Sequence, residues 1–397
     1  MNGYRPDTRR LLAAQGLRAF AYGFSAVLLG TSLEERDVPA WQVGLVLGAT
    51  VAGTALMSVL VARYADRVGR RRWYAGLYVL LGVVGVVFAL AGSVWVLVAA
   101  ALTGVLSTEV IESGPFTSLE LPMLAEDLRG RAQVQGFGVY NAIAAVAGSF
   151  GALTAAVPSL SSAVERQRWF LVLVPVAVAG WAIGRSLSAA VEPVGVDASR
   201  GRLVRSRSTV SRLASLFALD SFGGGFTVSA FVAYWLTARF DASPAVIGAT
   251  FFAIGLLQTV SFLVAPRLAD RFGLLPTMVF THLPSNLLLA AVAFAPNLGT
   301  AVVLLLARTV LSQMDVPTRQ AYVMTLVDPD ERIPAAAYTN TARYVSRPFG
   351  PPLAALAQTV ALGLPFVIGG GIKSVYDVTL WRWFRRVPLP EPVKEPA

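Results

Sequence analysis

Ten ionisable side chains fall inside or at the ends of long apolar stretches of this 397-residue chain: Arg18, Glu109, Glu112, Asp220, Arg308, Asp315, Arg343, Arg347, Lys373 and Asp377. Charges in hydrocarbon are costly, and where they persist they pair with one another or mark paths for ions and solutes. The ten divide evenly by sign, so they can neutralise one another as structural pairs. They can equally exchange a proton as their environment changes. Lys373 and Asp377, four residues apart, are expected to neutralise each other on one helix face. Other chemistries are excluded. The chain has no Cys and a single His, His282, so it has no thiol nucleophile, no disulfide and no His-based metal site. His282 reads as a polar helix residue. No Gly-x-x-x-x-Gly-Lys-Ser/Thr phosphate loop is present, so ATP is not the energy source through a recognised site. No metal and no cofactor is expected, and without a nucleophile constellation neither is an enzyme.

The elements that must position these charges are membrane helices. Apolar residues make up 55% of the chain and charged residues 14%, against about 25% charged in a soluble domain. The apolar residues come in about a dozen blocks of roughly 20, each long enough to cross a bilayer as a helix. Helices are expected over 11–33, 42–62, 73–91, 94–111, 136–156, 169–187, 213–236, 245–264, 275–295, 298–316, 336–360 and 362–384. With the N-terminus inside, nearly all basic residues, including the cluster from Arg63 to Arg72 and the run from Arg200 to Arg212, fall on cytoplasmic loops. Only Arg36, Arg166, Arg168 and Arg239 fall outside, which places both termini in the cytoplasm and accounts for the net charge of +10. The basic segment 191–212 separates residues 1–190 from residues 213–397.

These halves repeat one another. Arg18-Ala-Phe-Ala-Tyr-Gly-Phe24 returns 202 residues later as Asp220-Ser-Phe-Gly-Gly-Gly-Phe226. Ala65-Asp66-Arg67-Val68-Gly69 returns as Ala269-Asp270-Arg271-Phe272-Gly273. Two matches in the same order point to an internal duplication of the kind seen in transporters. The predicted fold is thus an all-α membrane protein of twelve transmembrane helices, arranged as two pseudo-symmetric six-helix bundles around a central cavity. Gly223-Gly224-Gly225 and the stretch from Pro348 to Pro352 should bend or interrupt their helices. Small residues Gly44, Gly48, Ala52 and Gly53, and Gly148, Ser149 and Gly151, should allow close contact between the halves.

The loop after the second helix, from Ala62 to Arg72, resembles the signature loop of the major facilitator superfamily, Gly-x-x-x-Asp-Arg/Lys-x-Gly-Arg-Arg/Lys. Asp66, Arg67, Gly69, Arg70 and Arg71 match, while Ala62 replaces the leading Gly. In the second half Asp270, Arg271 and Gly273 match, with Pro266, Leu274 and Leu275 departing from the pattern. These residues are expected to form a cytoplasmic latch. The stretches 313–320 and 218–225 resemble a bacterial branch grouped with multidrug-exporter-like members; Gly148-Ser149-Phe150-Gly151 keeps the small residues of the exporter signature and lacks its Pro.

The resemblance implies a cavity lined by helices one, four, seven and ten. Arg18 and Asp220, at the same repeat position with opposite charge, would then face each other when the cytoplasmic side closes, as a gate pair reinforced by Glu112 or Asp315, with Glu109 slightly deeper in the same cluster, and would part when it opens. Arg308 and Arg347 at mid-depth would favour a polar or anionic solute, with Tyr22, Ser107, Thr108, Asn141, Thr227, Gln258 and Tyr344 supplying neutral hydrogen bonds. The expected function is secondary active transport by alternating access, as proton-coupled efflux (antiport) of a small organic solute. An importer or passive facilitator of the same fold is the alternative; a lipid enzyme or a sensor is a distant one. The expected partners are a small-molecule substrate, protons and the lipid bilayer, with no nucleic acid. The chain is expected to be a monomer in the bacterial inner membrane.

Overall fold

The computed structural model describes residues 4–35, 38–107, 109–110, 114–127, 131–155, 167–192, 203–327 and 331–387. Among them the regular structure is helical. The first half runs α1 (Pro6–Glu35), α2 (Ala40–Val68), α3 (Arg70–Leu90), α4 (Val94–Ala101), α5 (Gly114–Asp127), α6 (Arg131–Thr154) and, after a 3-10 turn over Trp169–Val172, α7 (Leu173–Ser186). The second runs α8 (Arg207–Gly225), α9 (Ser229–Phe240), α10 (Pro244–Phe272), α11 (Leu274–Val292), α12 (Leu298–Ser312), α13 (Asp315–Leu326), α14 (Arg332–Ser346), α15 (Gly350–Gln358) and α16 (Leu364–Phe384). These make twelve spans, because α4 with α5, α8 with α9, α12 with α13, and α14 with α15 are the halves of single broken spans. Among the described residues, nine spans are long and apolar enough to cross a membrane on those grounds alone. The other three are α4 with α5, α14 with α15, and α16; the first two are broken, and α16 carries Lys373, Asp377 and Arg382.

The breaks follow local sequence. Gly223-Gly224-Gly225 ends α8, since three residues without a side chain give a helix little to hold it. Pro348, Pro351 and Pro352 lack the amide that a continuing helix would bond, and a 3-10 turn over Arg347–Phe349 separates α14 from α15. Two breaks differ from expectation. The fourth span, expected over 94–111, ends at Ala101, and its second half is α5 in a stretch that reads as loop. The tenth span, expected to end at 316, continues through α13 to Leu326.

Equivalent helices pack in equivalent ways. α1 lies along α6 as α8 lies along α14, and α3 lies along α7 as α11 lies along α16. α2 and α10 end alike, on Gly69 (φ 108°) and Gly273 (φ 91°), backbone positions that a side chain would strain. In both, the Gly amide donates 2.8 Å to the carbonyl four residues back. Exposed apolar side chains such as Leu56, Val79, Val178, Leu263 and Val303 cover the outside, as lipid requires.

The halves touch through α1 with α9, α2 with α15, and α6 with α10. All of these contacts lie toward the end of the molecule away from both termini. Small residues set their closeness. A Cβ on Gly30 would stand 2.4 Å from the Ala230 carbonyl, and one on Gly44 2.3 Å from the Ala355 Cβ. Ser149 meets Gly255 across the halves, whereas Gly148 and Gly151 pack against α1 within their own half.

Two glutamates tie the terminal face together. Glu192 accepts hydrogen bonds from the Arg70 amide (2.8 Å) and the Arg71 amide (3.2 Å) at the start of α3. Glu331 accepts from the amides of Val204, Arg205 and Ser206 at 2.7, 2.9 and 2.8 Å, just before α8. The Val204 bond contributes most to holding the Glu331 carboxyl at about 2, below its ordinary 4.5, against the opposing effect of burial. A carboxylate so held stabilises the fold above its unfolded-state value and loses that contribution as pH falls from about 4.5 toward about 2.

Two outcomes are therefore expected. In detergent, acid titration of unfolding should show a loss of thermal stability over that window which is absent in Glu331→Gln. Gly151→Val, whose Cβ would stand 1.9 Å from the Phe20 carbonyl oxygen, should destabilise by about 1–3 kcal/mol. Gly76→Ala, which meets nothing within 4 Å, should be neutral or stabilise by up to about 1 kcal/mol; thermal unfolding of the purified variants compares the two.

Candidate functional site

Each half carries a buried ion pair between its first and fourth spans, with the signs reversed. In the first half Arg18 of α1 pairs with Glu120 of α5, both without exposed surface. Gln15 accepts from the same guanidinium, and the Tyr140 hydroxyl lies 3.2 Å from it. Tyr74 donates to Glu120 at 2.6 Å, and Tyr140 donates to its other oxygen. The Phe116 ring centroid stands 4.7 Å from the Arg18 guanidinium. This cluster is closed in charge, since its one cation and one anion neutralise each other and both phenols donate to the anion.

In the second half Asp220 of α8 is the hub. Lys373 of α16 donates to Asp220 Oδ1 at 2.6 Å and Arg319 of α13 to Oδ2 at 3.3 Å. Arg319 also donates to Asp315 Oδ2 at 3.0 Å. His282 of α11 places Nε2 3.8 Å from Asp220 Oδ1 and Nδ1 2.9 Å from Asp377 Oδ1. Asn286, one turn on, donates to Asp377 Oδ2 at 2.8 Å.

Between the halves lies a cavity of about 240 Å³. The second-half cluster faces it through Asp220, His282, Asp315, Arg319 and Lys373, whereas none of Arg18, Glu120, Tyr74 and Tyr140 lines it. The breaks in the fourth, seventh and eleventh spans meet at its wall. There Glu109, from the break in the fourth span, accepts from the Ser229 amide (3.2 Å) and hydroxyl (3.3 Å) and lies 3.4 Å from the Arg347 guanidinium. This ion pair crosses from one half to the other.

The sequence-derived candidates distribute as follows. Glu109, Asp220, Thr227, Gln258, Arg308, Asp315 and Arg347 line the cavity. Tyr22, Ser107, Asn141 and Tyr344 are not in its lining. Tyr22 is fully buried and donates to the Val105 carbonyl at 2.6 Å, binding α1 to the broken fourth span, and Ser107 accepts from the Glu109 amide at 3.1 Å. Glu112 and Thr108 lie outside the described residues. Arg18 and Asp220, expected to meet when the cytoplasmic side is closed, each bind a buried opposite charge on a neighbouring helix of their own bundle in this arrangement. Lys373 and Asp377 likewise do not neutralise each other; Lys373 turns to Asp220 and Asp377 to His282. In the signature loop Asp66 pairs with Arg70 at 2.7 Å on the same side of the turn. Arg271 lies over the Phe272 ring.

Three participants were missed from sequence. Arg319, assigned to a cytoplasmic loop, and Glu120, assigned to none of the spans, are buried partners, and His282 is a bridge rather than an isolated polar residue. The signals were present but faint: Glu120 sits between Leu119 and Leu121, and Arg319 follows Asp315 by one helical turn.

A closed first-half cluster predicts a structural cost. Glu120→Gln should leave the Arg18 guanidinium without its counter-charge and lower stability by about 3–5 kcal/mol. The apolar double variant Arg18→Met with Glu120→Leu should recover most of the loss in detergent unfolding.

The sequence profile described as Major Facilitator Superfamily matches residues 213–397. Over 416 aligned residues the chain is 24% identical to an uncharacterized membrane protein of Saccharomyces cerevisiae, covering 94% of this chain and 93% of that one. Its structure superposes on the inward open xylose transporter of E. coli with a TM-score of 0.75 at 13% identity, covering 97% of each chain. The nucleoside transporter NupG gives 0.74 at 13% identity, over 95% of this chain and 100% of that one. The human organic anion transporter MFSD10 (TETRAN) gives 0.64 at 17%, over 95% and 100%. With twelve spans in two repeated bundles about a central cavity, the chain has the fold of the major facilitator transporters.

Proposed function

We propose that this chain belongs to the major facilitator superfamily and is a secondary active transporter that moves a small polar or anionic organic solute by alternating access, coupled to protons. The carrying observation is the cavity between the halves, lined by Arg308, Arg319, Arg343, Arg347 and Lys373 against Glu109, Asp220 and Asp315; the close contacts of the halves at the end away from the termini are taken as its closed side. An excess of cationic groups in a low-dielectric enclosure favours a solute with carboxylate, phosphate or other electron-rich groups. That MFSD10 is an organic anion transporter is in keeping with this reading.

The two halves are residues 1–190 and 213–397, joined by the basic linker 191–212, and both termini face the cytoplasm on the positive-inside argument. The closed side is then external, and the arrangement is open inward. In this reading the Glu109–Arg347 pair belongs to the external closure, and Asp66, Arg67, Arg70, Arg71, Asp270 and Arg271 stand at the cytoplasmic mouth, where they can latch when it closes. Export in exchange for protons is the direction supported by the exporter-like stretches 218–225 and 313–320. The chain works as a monomer in a bacterial inner membrane.

Proteoliposomes preloaded with a panel of small organic anions, sugars and nucleosides test this. Counterflow should favour an anion, and an inward proton gradient should accelerate its exit from preloaded vesicles. Arg308→Gln should lower its transport at least tenfold at matched reconstitution. Selective flux of a lipophilic cation, or flux indifferent to the gradient, would overturn the solute class or the coupling respectively.

A further inference from the structure

The first-half and second-half clusters occupy equivalent places and differ in one respect that bears on coupling. In the second half three carboxylates, Asp220, Asp315 and Asp377, are bound to only two permanent cations, Lys373 and Arg319, and the remaining partner is His282. The equivalent residue of the first half, 204 positions earlier, is Tyr78, which donates to the Ala14 carbonyl at 3.1 Å. The same offset relates Asp66 to Asp270. Duplication has therefore put a phenol beside the closed first-half cluster, its ring 5.2 Å from that of Tyr74, and an imidazole in the cluster that faces the cavity.

We propose that His282 is the proton-binding site of this chain, resting on the reading of it as a proton-coupled transporter. With His282 neutral, the cluster sets three carboxylates against the two cations that touch them, a local excess of one negative charge within a cavity whose wider lining is cationic, and low dielectric disfavours such an excess. One added proton makes it neutral. The geometry assigns that proton to Nε2. Nδ1 lies 2.9 and 3.1 Å from the two oxygens of Asp377, a carboxylate that only accepts, and 3.1 Å from Asn286 Nδ2, whose hydrogen goes to Asp377 Oδ2 at the shorter 2.8 Å; Nδ1 therefore carries hydrogen and donates it, leaving the Nε2 lone pair as acceptor. Nε2 lies on the Asp220 side, and His282 contributes to the cavity lining, from which water can deliver the proton. The step is the addition of one proton to the Nε2 lone pair, converting imidazole to imidazolium, and its reversal returns that proton to water.

The groups facing this imidazole are few. Asp220 comes from α8, Asp315 and Arg319 from α13, and Lys373, Asp377 and the Tyr376 ring, its centroid 5.8 Å away, from α16. α12 and α14 bring Arg308 and Arg343 to the same cavity, and α10 brings the neutral Gln258. Because Nε2 and Lys373 address the same oxygen of Asp220, a protonated His282 competes with Lys373 for it. Protonation thus loosens the tie between α8 and α16, and a solute anion that draws Lys373 away would do the same. Occupancy of the proton site is in this way transmitted to the two helices that flank the cavity.

The chain has one His and no Cys, so both sides of the proposal can be measured on the full-length protein. In protein labelled with ¹³C and ¹⁵N only at histidine, reconstituted in nanodiscs, the single imidazole should titrate in one step over the pH range in which the protein stays folded. Asp220→Asn should move that step to lower pH by about 1–3 units. Spin labels on Ser186→Cys and Ala321→Cys, exposed sites on α7 and α13, should report a distance change between acid and alkaline pH that vanishes in His282→Gln. An imidazole that does not titrate in that range, or a pH-driven distance change that persists in His282→Gln, overturns the proposal. Proton-driven solute flux retained in His282→Gln would do so too while leaving the transporter reading intact. A titrating imidazole that drives the distance change, without flux of any solute tested, would uphold the site and count against transport.

Discussion

A membrane interior tolerates charge only when it is paired, and the buried ion pair between the first and fourth spans of each half is the constraint around which this structure is arranged. Arg18 and Glu120 draw α1 and α5 together, and Asp220 and Arg319 do the same for α8 and α13. Removing one partner would strand the other in a medium that cannot solvate it. The pairs therefore specify which helices lie side by side more sharply than packing of apolar surfaces can, since lipid competes equally for those.

The two pairs differ in how they are enclosed. Around Arg18 and Glu120 the phenols of Tyr74 and Tyr140 and the ring of Phe116 fill the remaining directions, leaving a site with no access to the cavity. Around Asp220 the remaining directions are taken by Lys373 and His282, and the cluster opens on the cavity. An ancestral symmetry is thus retained in the backbone and lost in the chemistry.

The broken spans bring this chemistry to the interface. Where the fourth, seventh and eleventh spans lose their helical hydrogen bonds, backbone amides and side chains are free to meet partners from the other half, as Glu109 does with Ser229 and Arg347. Such breaks are tolerated at membrane depth because protein or a cavity, not lipid, satisfies them. Close approach just past the breaks of the seventh and eleventh spans, where Gly30 of α1 meets Ala230 and Gly44 of α2 meets Ala355, lets the backbones of the two halves pack directly on one another.

Span number, repeat and break-prone segments could be read from local sequence, because apolar run length, Gly and Pro act within one helix and need no knowledge of neighbours. Gly69 and Gly273 are examples: their turns depend on backbone freedom at a single residue. The partners of the buried charges could not be read this way. Glu120 lies 102 residues from Arg18, in a stretch with Pro115 and Pro122 that reads as loop, and only the packing of α5 along α2 and against α1 and α3 makes it a membrane residue. Lys373 had a partner one turn away in Asp377, yet each found a better one on another helix. Local spacing tells which charges can meet on a single helix, whereas Coulomb energy in a low-dielectric interior is set by three-dimensional distance, and that distance is decided by the fold.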